Sequence, residues 1–449
     1  MPIFMNIESK NNSNIDVIVT IVTNITITLV GVATGIIAAR LLGPSGEGQL
    51  AAIQTWPLVI STLAMLGLPE SLVYFISKNP AIGRQFTVTA MILAVISVIT
   101  VNTFAWFALP FLLSSQSIAT INAARFFLLI GILYVMFGLP HGTLRGAQLF
   151  RSWNTIRILP GLAWLSILLI SAIAHYREPI PLSKWFLAGT VVTGLPSLIY
   201  TLKTLKGSFR PDFTKIKPML NFGLPSVTAT IPQTINLRFD QILIIALLPP
   251  KDLGFYVVAV AWSGGIAPLL SAIGSVLFPK ISAELNLEHK ISTMKRALQS
   301  STLISITIAA VITAVTPVCI PLIFGNQFSP SIPSALILVP AGAILAWVGV
   351  AEEGLRGIGK PKFVLLAEIF AAITTITLLP IFLHLFGIFG AAIASLIAYF
   401  LTALICSLSI SKSLNIPLSN IVVPNKNTFK ILIAESKSFT KRLSKNKIK

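Results

Sequence analysis

The chain alternates long apolar runs with short polar loops, and this pattern limits its fold more than any other feature. A membrane-spanning helix needs about 20 mainly apolar residues, because its backbone must satisfy its own polar groups in hydrocarbon. With 55% hydrophobic residues, 10% charged residues and a mean hydropathy of +0.87, the composition excludes a soluble domain. We predict twelve spans: 17–39, 51–76, 87–112, 126–147, 156–175, 185–205, 219–247, 255–279, 299–324, 332–355, 363–385 and 387–411.

Basic residues collect on one side of these spans. Most of the 33 Lys and Arg residues lie at the termini or in the loops on the same side as the termini. The opposite loops hold only Arg40, Arg125, Arg177, Lys184 and Lys251. By the positive-inside rule, both termini are predicted to be cytoplasmic. The same loops account for the net charge of +19 as a topology signal and an attraction to anionic membrane lipids, so no nucleic-acid partner is expected.

One corner of the chain occurs twice. The stretch "ARLLGPSGEGQLAAIQTW" at 39–56 returns as "ALLPPKDLGFYVVAVAW" at 246–262. At one constant offset the two copies share several residues, among them Pro44 and Pro250, Gly48 and Gly254, and Trp56 and Trp262. Proline and glycine end helices, so "GPSGEG" and "PPKDLG" are predicted to be outward turns between the first and second span of each half.

The repeat predicts the architecture. Because six spans precede the second copy, both halves enter the membrane in the same direction. We therefore expect an all-α integral membrane fold with 12 transmembrane helices in two six-helix bundles, as parallel repeats about an axis along the membrane normal and around a central cleft. The predicted divisions are a first bundle at 1–210, a second at 211–415 and a basic cytoplasmic tail at 416–449.

A second repeated motif lies at the inward end of the fourth span of each half. "TLRGAQLFRSWNTIRIL" and "GLRGIGKPKFVLLAEIF" share Leu-Arg-Gly, which makes Arg145 and Arg356 counterparts. Each arginine either extends to the lipid headgroups or belongs to a shared gate. Glu352 and Glu353 precede Arg356 and are expected to pair with it. With Glu70, which follows "GLP" in the second span, these residues are the candidates for coupling or gating.

Four stretches carry a resemblance to a known family. "ARLLGPSGEGQLAAI", "FDQILIIALLPPKDLGFYVVA", "LRGIGKPK" and "FGIFGAAIASLIAYFL" resemble the oligosaccharide flippases of the multidrug/oligosaccharidyl-lipid/polysaccharide exporter (MOP) superfamily. The resemblance covers nearly the whole chain and is closest to the Wzx-type polysaccharide-transporter branch. It implies translocation of undecaprenyl-pyrophosphate-linked oligosaccharide repeat units from the cytoplasmic to the outer leaflet by alternating access.

The resemblance also implies a setting. The protein would be a multi-pass protein of the bacterial inner membrane that serves the synthesis of surface polysaccharide, such as O-antigen lipopolysaccharide or exopolysaccharide. Its partners would be the lipid-linked glycan, membrane lipids, and the polymerase and glycosyltransferases of the same pathway. No cofactor is implied.

Polar residues on the first and seventh spans are the candidates for binding the glycan. At 100° per residue, four side chains of the seventh span share one face. The first span has a polar face of its own. These residues either line the cleft or hold helices together by hydrogen bonds. The candidates are Thr20, Asn24, Thr34, Ser226, Gln233, Asn236 and Asp240.

Arg238 lies about 160° around an ideal helix from Asp240, so the two are not expected to pair with each other. Arg238 would either bind the pyrophosphate or pair with an acid of another span, such as Glu70. Few other cations lie at membrane depth, since Arg40, Arg125 and Arg157 are near helix ends. The sequence therefore does not locate the pyrophosphate site.

There are two alternatives to the flippase. A multidrug or toxic-compound antiporter of the same superfamily would share the fold and could use Asp240, Glu70 or Glu368 for proton or sodium coupling. A polysaccharide polymerase or ligase would carry a large outward loop with catalytic side chains, which is not found here. The histidines have no metal-ligand spacing, and no GxxxxGK[ST] motif for a nucleotide is present. We therefore predict a transporter with no catalytic residues and no metal site.

Overall fold

The computed structural model describes the backbone of residues 4–424, without the side chains of 4–15, 17, 18, 228–230 and 279. Most of the predicted basic tail therefore lies outside the described residues. Within them the chain folds into α-helices and short 3-10 turns, with no β-strand. The helices are α1 Phe4–Ala64, α2 Leu68–Lys78, α3 Gly83–Leu112, α4 Ile118–Phe127, α5 Ile130–Gly146, α6 Phe150–Ile173, α7 Pro179–Thr204, α8 Ile216–Leu247, α9 Pro250–Ser263, α10 Ala267–Ala283, α11 Leu287–Phe324, α12 Ile332–Gly357, α13 Pro361–Leu414 and α14 Ser419–Val422.

These helices agree with the predicted spans. In the described part of the chain, 9 helical stretches are long and apolar enough to cross a membrane. Two of them, of 60 and 54 residues, are long enough to cross twice. Counting their halves separately and adding α8, the polar seventh span, gives the twelve predicted spans. Large apolar side chains such as Phe104, Phe107 and Phe111 are exposed on α3, as expected of a surface that faces lipid.

The first outward turn differs from its prediction. Instead of a loop over "GPSGEG", the helix breaks at a single residue, Gly43, with φ 67° and ψ 178°. Pro44 then begins the next helical stretch, where its fixed φ and missing N–H carry no penalty. Gly387 makes the equivalent break in α13 with φ 58°. One glycine is therefore enough to separate two successive spans.

The described residues fall into two compact units. The first contains the chain up to Ile231 with Gln241–Val258 and Leu322–Phe328, and the second contains Pro232–Asp240, Ala259–Pro321 and the chain from Ser329 onward. In the first unit, α2, α3 and α5 bury a core that includes Leu72, Ala90 and Leu139. In the second, α10 to α13 pack around Met294 and Trp347. The predicted bundle boundaries at 210 and 415 remain a prediction.

The two repeated corners contact each other within the first unit. A Cβ added to Gly48 would lie 1.6 Å from the carbonyl oxygen of Pro250, and one added to Gly254 would lie 1.9 Å from that of Pro44. The contact is reciprocal, because each glycine packs on the proline of the other copy. Glycine is thus required at both positions by the close approach of two backbones.

Side chains of the first unit cap helix ends near these corners. The last carbonyls of a helix have no partner within the helix. In α8, the carbonyl of Ile245 accepts a hydrogen bond from Gln116 Nε2 at 3.0 Å, and that of Ala246 accepts one from Ser115 Oγ at 2.6 Å. Arg40 donates from Nε to the carbonyl of Ile323 at 2.6 Å, near the end of α11. Arg40, predicted to be in an outward loop, thus stabilises a helix terminus.

The segment between α7 and α8 is held against α3 by hydrogen bonds. Arg84 donates to the carbonyl of Leu205, and the backbone N–H of Asp212 donates to Thr89 Oγ1 at 2.9 Å. The Asp212 carboxylate accepts hydrogen bonds from Thr214 and lies 2.9 Å from Lys215 Nζ. The hydrogen bond from Thr214, followed by the contact with Lys215, holds the pKa of Asp212 below its usual value. This linker segment therefore has a defined position in the first unit.

Replacing Gly48 by alanine should destabilise the protein. The added methyl group has no room beside the Pro250 carbonyl, and such overpacking costs about 1–3 kcal/mol. Gly31→Ala is the matched control, because its Cβ would meet nothing within 4 Å. We expect a lower thermal unfolding midpoint for Gly48→Ala in nanodiscs and an unchanged or higher one for Gly31→Ala. Equal midpoints would contradict the contact.

Candidate functional site

Two glutamates of the second unit have buried carboxyl groups in helices that are apolar enough to span a membrane. Glu352 of α12 and Glu368 of α13 are 4% and 5% exposed. Asn236 of α8, also buried, lies beside them and accepts a hydrogen bond from the Thr375 hydroxyl at 3.1 Å. We call Asn236, Glu352, Glu368 and Thr375 the acidic cluster. It joins the seventh, tenth and eleventh predicted spans.

The acidic cluster has unused hydrogen-bonding capacity. The Glu368 carboxyl interacts with that of Glu352 and with the side chain of Asn236. Glu352 Oε1, Glu368 Oε2 and Asn236 Nδ2 are nevertheless buried with no hydrogen-bond partner among the described residues. Each such atom costs about 1–3 kcal/mol. Two neighbouring carboxyls cannot both ionise at low cost, so the arrangement is suited to holding a proton or a small cation.

Arg356 balances part of this negative charge. Its guanidinium lies 3.2 Å from Glu352 Oε2 and 2.5 Å from Glu353 Oε1. Spacings of four and three residues place these side chains on one helix face. The predicted pairing of both glutamates with Arg356 is therefore present. The sequence indicates Glu368 only for an antiporter and does not single out Thr375, although a spacing of seven residues places both on one face of α13.

A second polar group occurs in the first unit. Arg157 of α6 donates to Asn24 Oδ1 of α1 at 2.8 Å and to Asn154 Oδ1 at 3.4 Å. Asn154 in turn donates from Nδ2 to Thr20 Oγ1 at 2.9 Å. Two residues predicted on the polar face of the first span, Thr20 and Asn24, are thereby connected to Arg157. The sequence had placed Arg157 only near a helix end.

Two arginines flank one aromatic ring beside this group. The guanidinium carbons of Arg157 and Arg145 lie 4.4 and 5.8 Å from the centroid of the Trp153 ring. In the part of the chain that the structure describes, no carboxylate lies within 4.0 Å of either guanidinium. His141 Nε2 is also buried there without a hydrogen-bond partner. We call Arg145, Arg157 and Trp153 the arginine pair site.

The other predicted site residues are dispersed. The hydroxyls of Thr34 and Ser226 donate to carbonyls of their own helices, those of Gly31 and Phe222. The remaining residues differ in exposure: Asp240 is buried in the second unit, Gln233 and Arg238 are exposed there, and Glu70 is exposed in the first turn of α2. Their roles in binding, coupling or gating remain predictions.

An apolar groove lies in the second unit. A cavity of about 650 Å³ is bordered by α11 to α14, with Trp347 and Pro340 on one side and Phe400 and Leu404 on another. Phe400 is 60% exposed, so the groove opens on the apolar surface of the helices. It offers room for a hydrocarbon chain.

The chain has a curated relative and structural neighbours. It is 26% identical over 223 residues to the probable low-salt glycan biosynthesis flippase Agl15 of Haloferax volcanii. The match takes in 47% of this chain and 45% of Agl15, so the chain spans about half the length of this relative. The inward closed structure of the lipid II flippase MurJ is similar with a TM-score of 0.76 and 14% identity, over 94% of this chain and 93% of that one.

An inward-facing multidrug resistance MATE family transporter of the MOP superfamily is similar with a TM-score of 0.70 and 18% identity, over 87% of this chain and 94% of that one. At these identities the likeness shows the fold alone. It confirms the all-α membrane fold class that the repeat predicted. The model of one family, "Polysaccharide biosynthesis protein", matches residues 15–284, more than half of the chain. The chain therefore belongs to the polysaccharide biosynthesis protein family.

Proposed function

We propose that this protein is a flippase that moves undecaprenyl-pyrophosphate-linked oligosaccharide repeat units from the cytoplasmic to the outer leaflet by alternating access. One observation carries the proposal: a member of the polysaccharide biosynthesis family buries the acidic cluster inside its spanning helices. Ionisable groups at membrane depth are costly and mark ion or substrate pathways. The cluster therefore supports transport rather than anchoring.

The acidic cluster supports coupling to an ion gradient. Its residues lie on α8, α12 and α13, so a change of protonation alters the contacts that hold three helices together. Uptake of a proton would remove charge from Glu352 and Glu368 and weaken the interaction of Glu352 with Arg356. Such a change gives a proton gradient a means to shift the populations of two conformations. We propose the proton as the coupling ion.

The polar and apolar surfaces fit the parts of this substrate. The glycan is polar, and the first and seventh spans carry hydroxyl and amide side chains that would hydrogen-bond to it. The isoprenoid chain is apolar, and the groove beside Trp347 and Phe400 provides an apolar surface for it. The basic loops support cytoplasmic positions for both termini, and we propose that the membrane is the bacterial inner membrane. There the protein would receive its substrate from glycosyltransferases and deliver it to a polymerase for O-antigen or exopolysaccharide.

Complementation tests the proposed function. In a bacterium that lacks its own O-antigen flippase, the wild-type chain should restore surface polysaccharide. Glu368→Gln should lower it at least about tenfold, because a buried amide cannot exchange a proton. Glu288→Gln, which changes an exposed glutamate at the start of α11, should behave as wild type at matched membrane abundance.

Two outcomes would contradict the proposal. Failure of the wild type to restore polysaccharide in hosts with several different repeat units, together with efflux of drugs, would favour the multidrug antiporter. Full restoration by Glu368→Gln would remove the acidic cluster from the mechanism.

Variants of two adjacent glutamates test proton coupling. Both Glu352 and Glu353 contact Arg356, but the side chain of Glu352 is 5% exposed and that of Glu353 is 30% exposed. In everted membrane vesicles supplied with the lipid-linked oligosaccharide, an imposed pH gradient should stimulate translocation by the wild type and by Glu353→Gln. Glu352→Gln should abolish this stimulation. Stimulation by a sodium gradient alone would exclude the proton as the coupling ion.

A further inference from the structure

The two halves of the chain carry equivalent residues of different charge. The register that overlays the two Leu-Arg-Gly motifs also aligns His141 with Glu352 and Arg157 with Glu368. The two carboxyl groups of the acidic cluster thus have a histidine and an arginine as counterparts. At these two positions, the first half has a basic residue and the second half has an acidic one.

Arg157 and Glu368 each lie near an asparagine of the first span of their own half. Glu368 of α13 interacts with Asn236 on α8, the first spanning helix of the second half. Arg157 of α6 donates to Asn24 on α1, the first spanning helix of the first half, at 2.8 Å. In both halves, therefore, an ionisable side chain of the fifth span lies near an asparagine of the first span. That side chain is basic in the first half and acidic in the second.

Packing explains why, among the described residues, Arg145 has no counterpart of Glu353 beside it. In the second half, Glu353 forms a salt bridge with Arg356. The corresponding position in the first half is Gly142, where an added Cβ would lie 2.2 Å from the carbonyl oxygen of Pro69. A glutamate does not fit at that position. Arg145, the counterpart of Arg356, therefore lacks the carboxylates that balance Arg356.

This leaves two cations close together at one helix junction. Arg145 and Arg157 flank Trp153 and act on each other electrostatically. Like charges repel. An anion within reach of both guanidinium groups would be attracted by both and would relieve this repulsion. Arginine binds phosphate oxygens in a bidentate fashion, so an anion with two phosphoryl groups suits a pair of arginines.

We propose that Arg145, Arg157 and Trp153 bind the diphosphate of an isoprenoid-diphosphate-linked glycan. This inference rests on the proposed function, because it names the site for the charged part of that substrate. The site lies where α5 ends and α6 begins, on the side predicted to face the cytoplasm, where the substrate is synthesised. The first half holds the anion and the second half holds the coupling proton.

Binding of an isoprenoid diphosphate to the full-length protein tests this site. Farnesyl diphosphate would be titrated into the purified chain in nanodiscs and followed by calorimetry, with farnesol as the uncharged probe. Arg145→Gln and Arg157→Gln should each weaken binding of the diphosphate at least about tenfold, as expected for loss of a charged hydrogen bond. Arg151→Gln is the matched control, because Arg151 is exposed in the first turn of α6. It should bind as wild type.

A second pair of variants avoids removing either arginine. His141→Glu copies the position of Glu352 and places a carboxylate four residues before Arg145. It should weaken binding of farnesyl diphosphate, whereas His141→Gln should not. Thermal unfolding of each variant distinguishes a lost ligand contact from a lost fold.

The outcomes of these experiments distinguish failure of the proposed binding site from failure of the proposed function. Wild-type affinity for farnesyl diphosphate in both arginine variants would overturn the site. In that case, complementation by the wild type would still support the flippase function. Equal affinity of the wild type for farnesol and farnesyl diphosphate would also overturn the site. Binding that depends on both arginines in a chain that fails every complementation would support the site and contradict the flippase.

Discussion

In hydrocarbon, an ionisable side chain needs a partner or a function, and this constraint decides where the polar residues of the protein lie. Glu352 and Glu368 are buried against Asn236, and Arg356 balances part of their charge at the end of α12. In the first unit, Arg157 is held by the side-chain amides of Asn24 and Asn154. These polar groups connect separate helices by hydrogen bonds and charge interactions in addition to their apolar contacts.

Because of the internal repeat, the two halves share one arrangement of helices, but some of their equivalent positions carry side chains of different charge. The corners preserve the scaffold, since Gly48 and Gly254 each pack on the proline of the other copy. The ends of the fourth and fifth spans differ, because the same positions hold basic groups in one half and acidic groups in the other. Under the proposals made above, a duplicated bundle provides a site for an anion in its first half and a site for a proton in its second half with the same arrangement of helices.

The sequence predicts the membrane fold well and the site only in part. Length and hydropathy predict the spans because each helix must satisfy its own backbone in lipid. Helical periodicity shows that Asn24 and Asn236 lie on polar faces, but it cannot show that Arg157 and Glu368 are the residues opposite them. Those pairings depend on how separate helices pack, as does the contact between Gly48 and Pro250. The exact shape of the first corner is also beyond sequence-based prediction, because the sequence indicates a turn over "GPSGEG" and the helix is interrupted only at Gly43.

The central claim is that this protein moves a lipid-linked glycan across a bilayer. The most direct test places the purified protein in liposomes with a fluorescently labelled undecaprenyl-pyrophosphate oligosaccharide and measures how much label becomes accessible to a quencher that cannot cross the membrane. An imposed pH gradient should increase the accessible fraction in liposomes with protein and leave it unchanged in empty liposomes. An accessible fraction that is the same with and without the protein, for several different glycans, would contradict the claim.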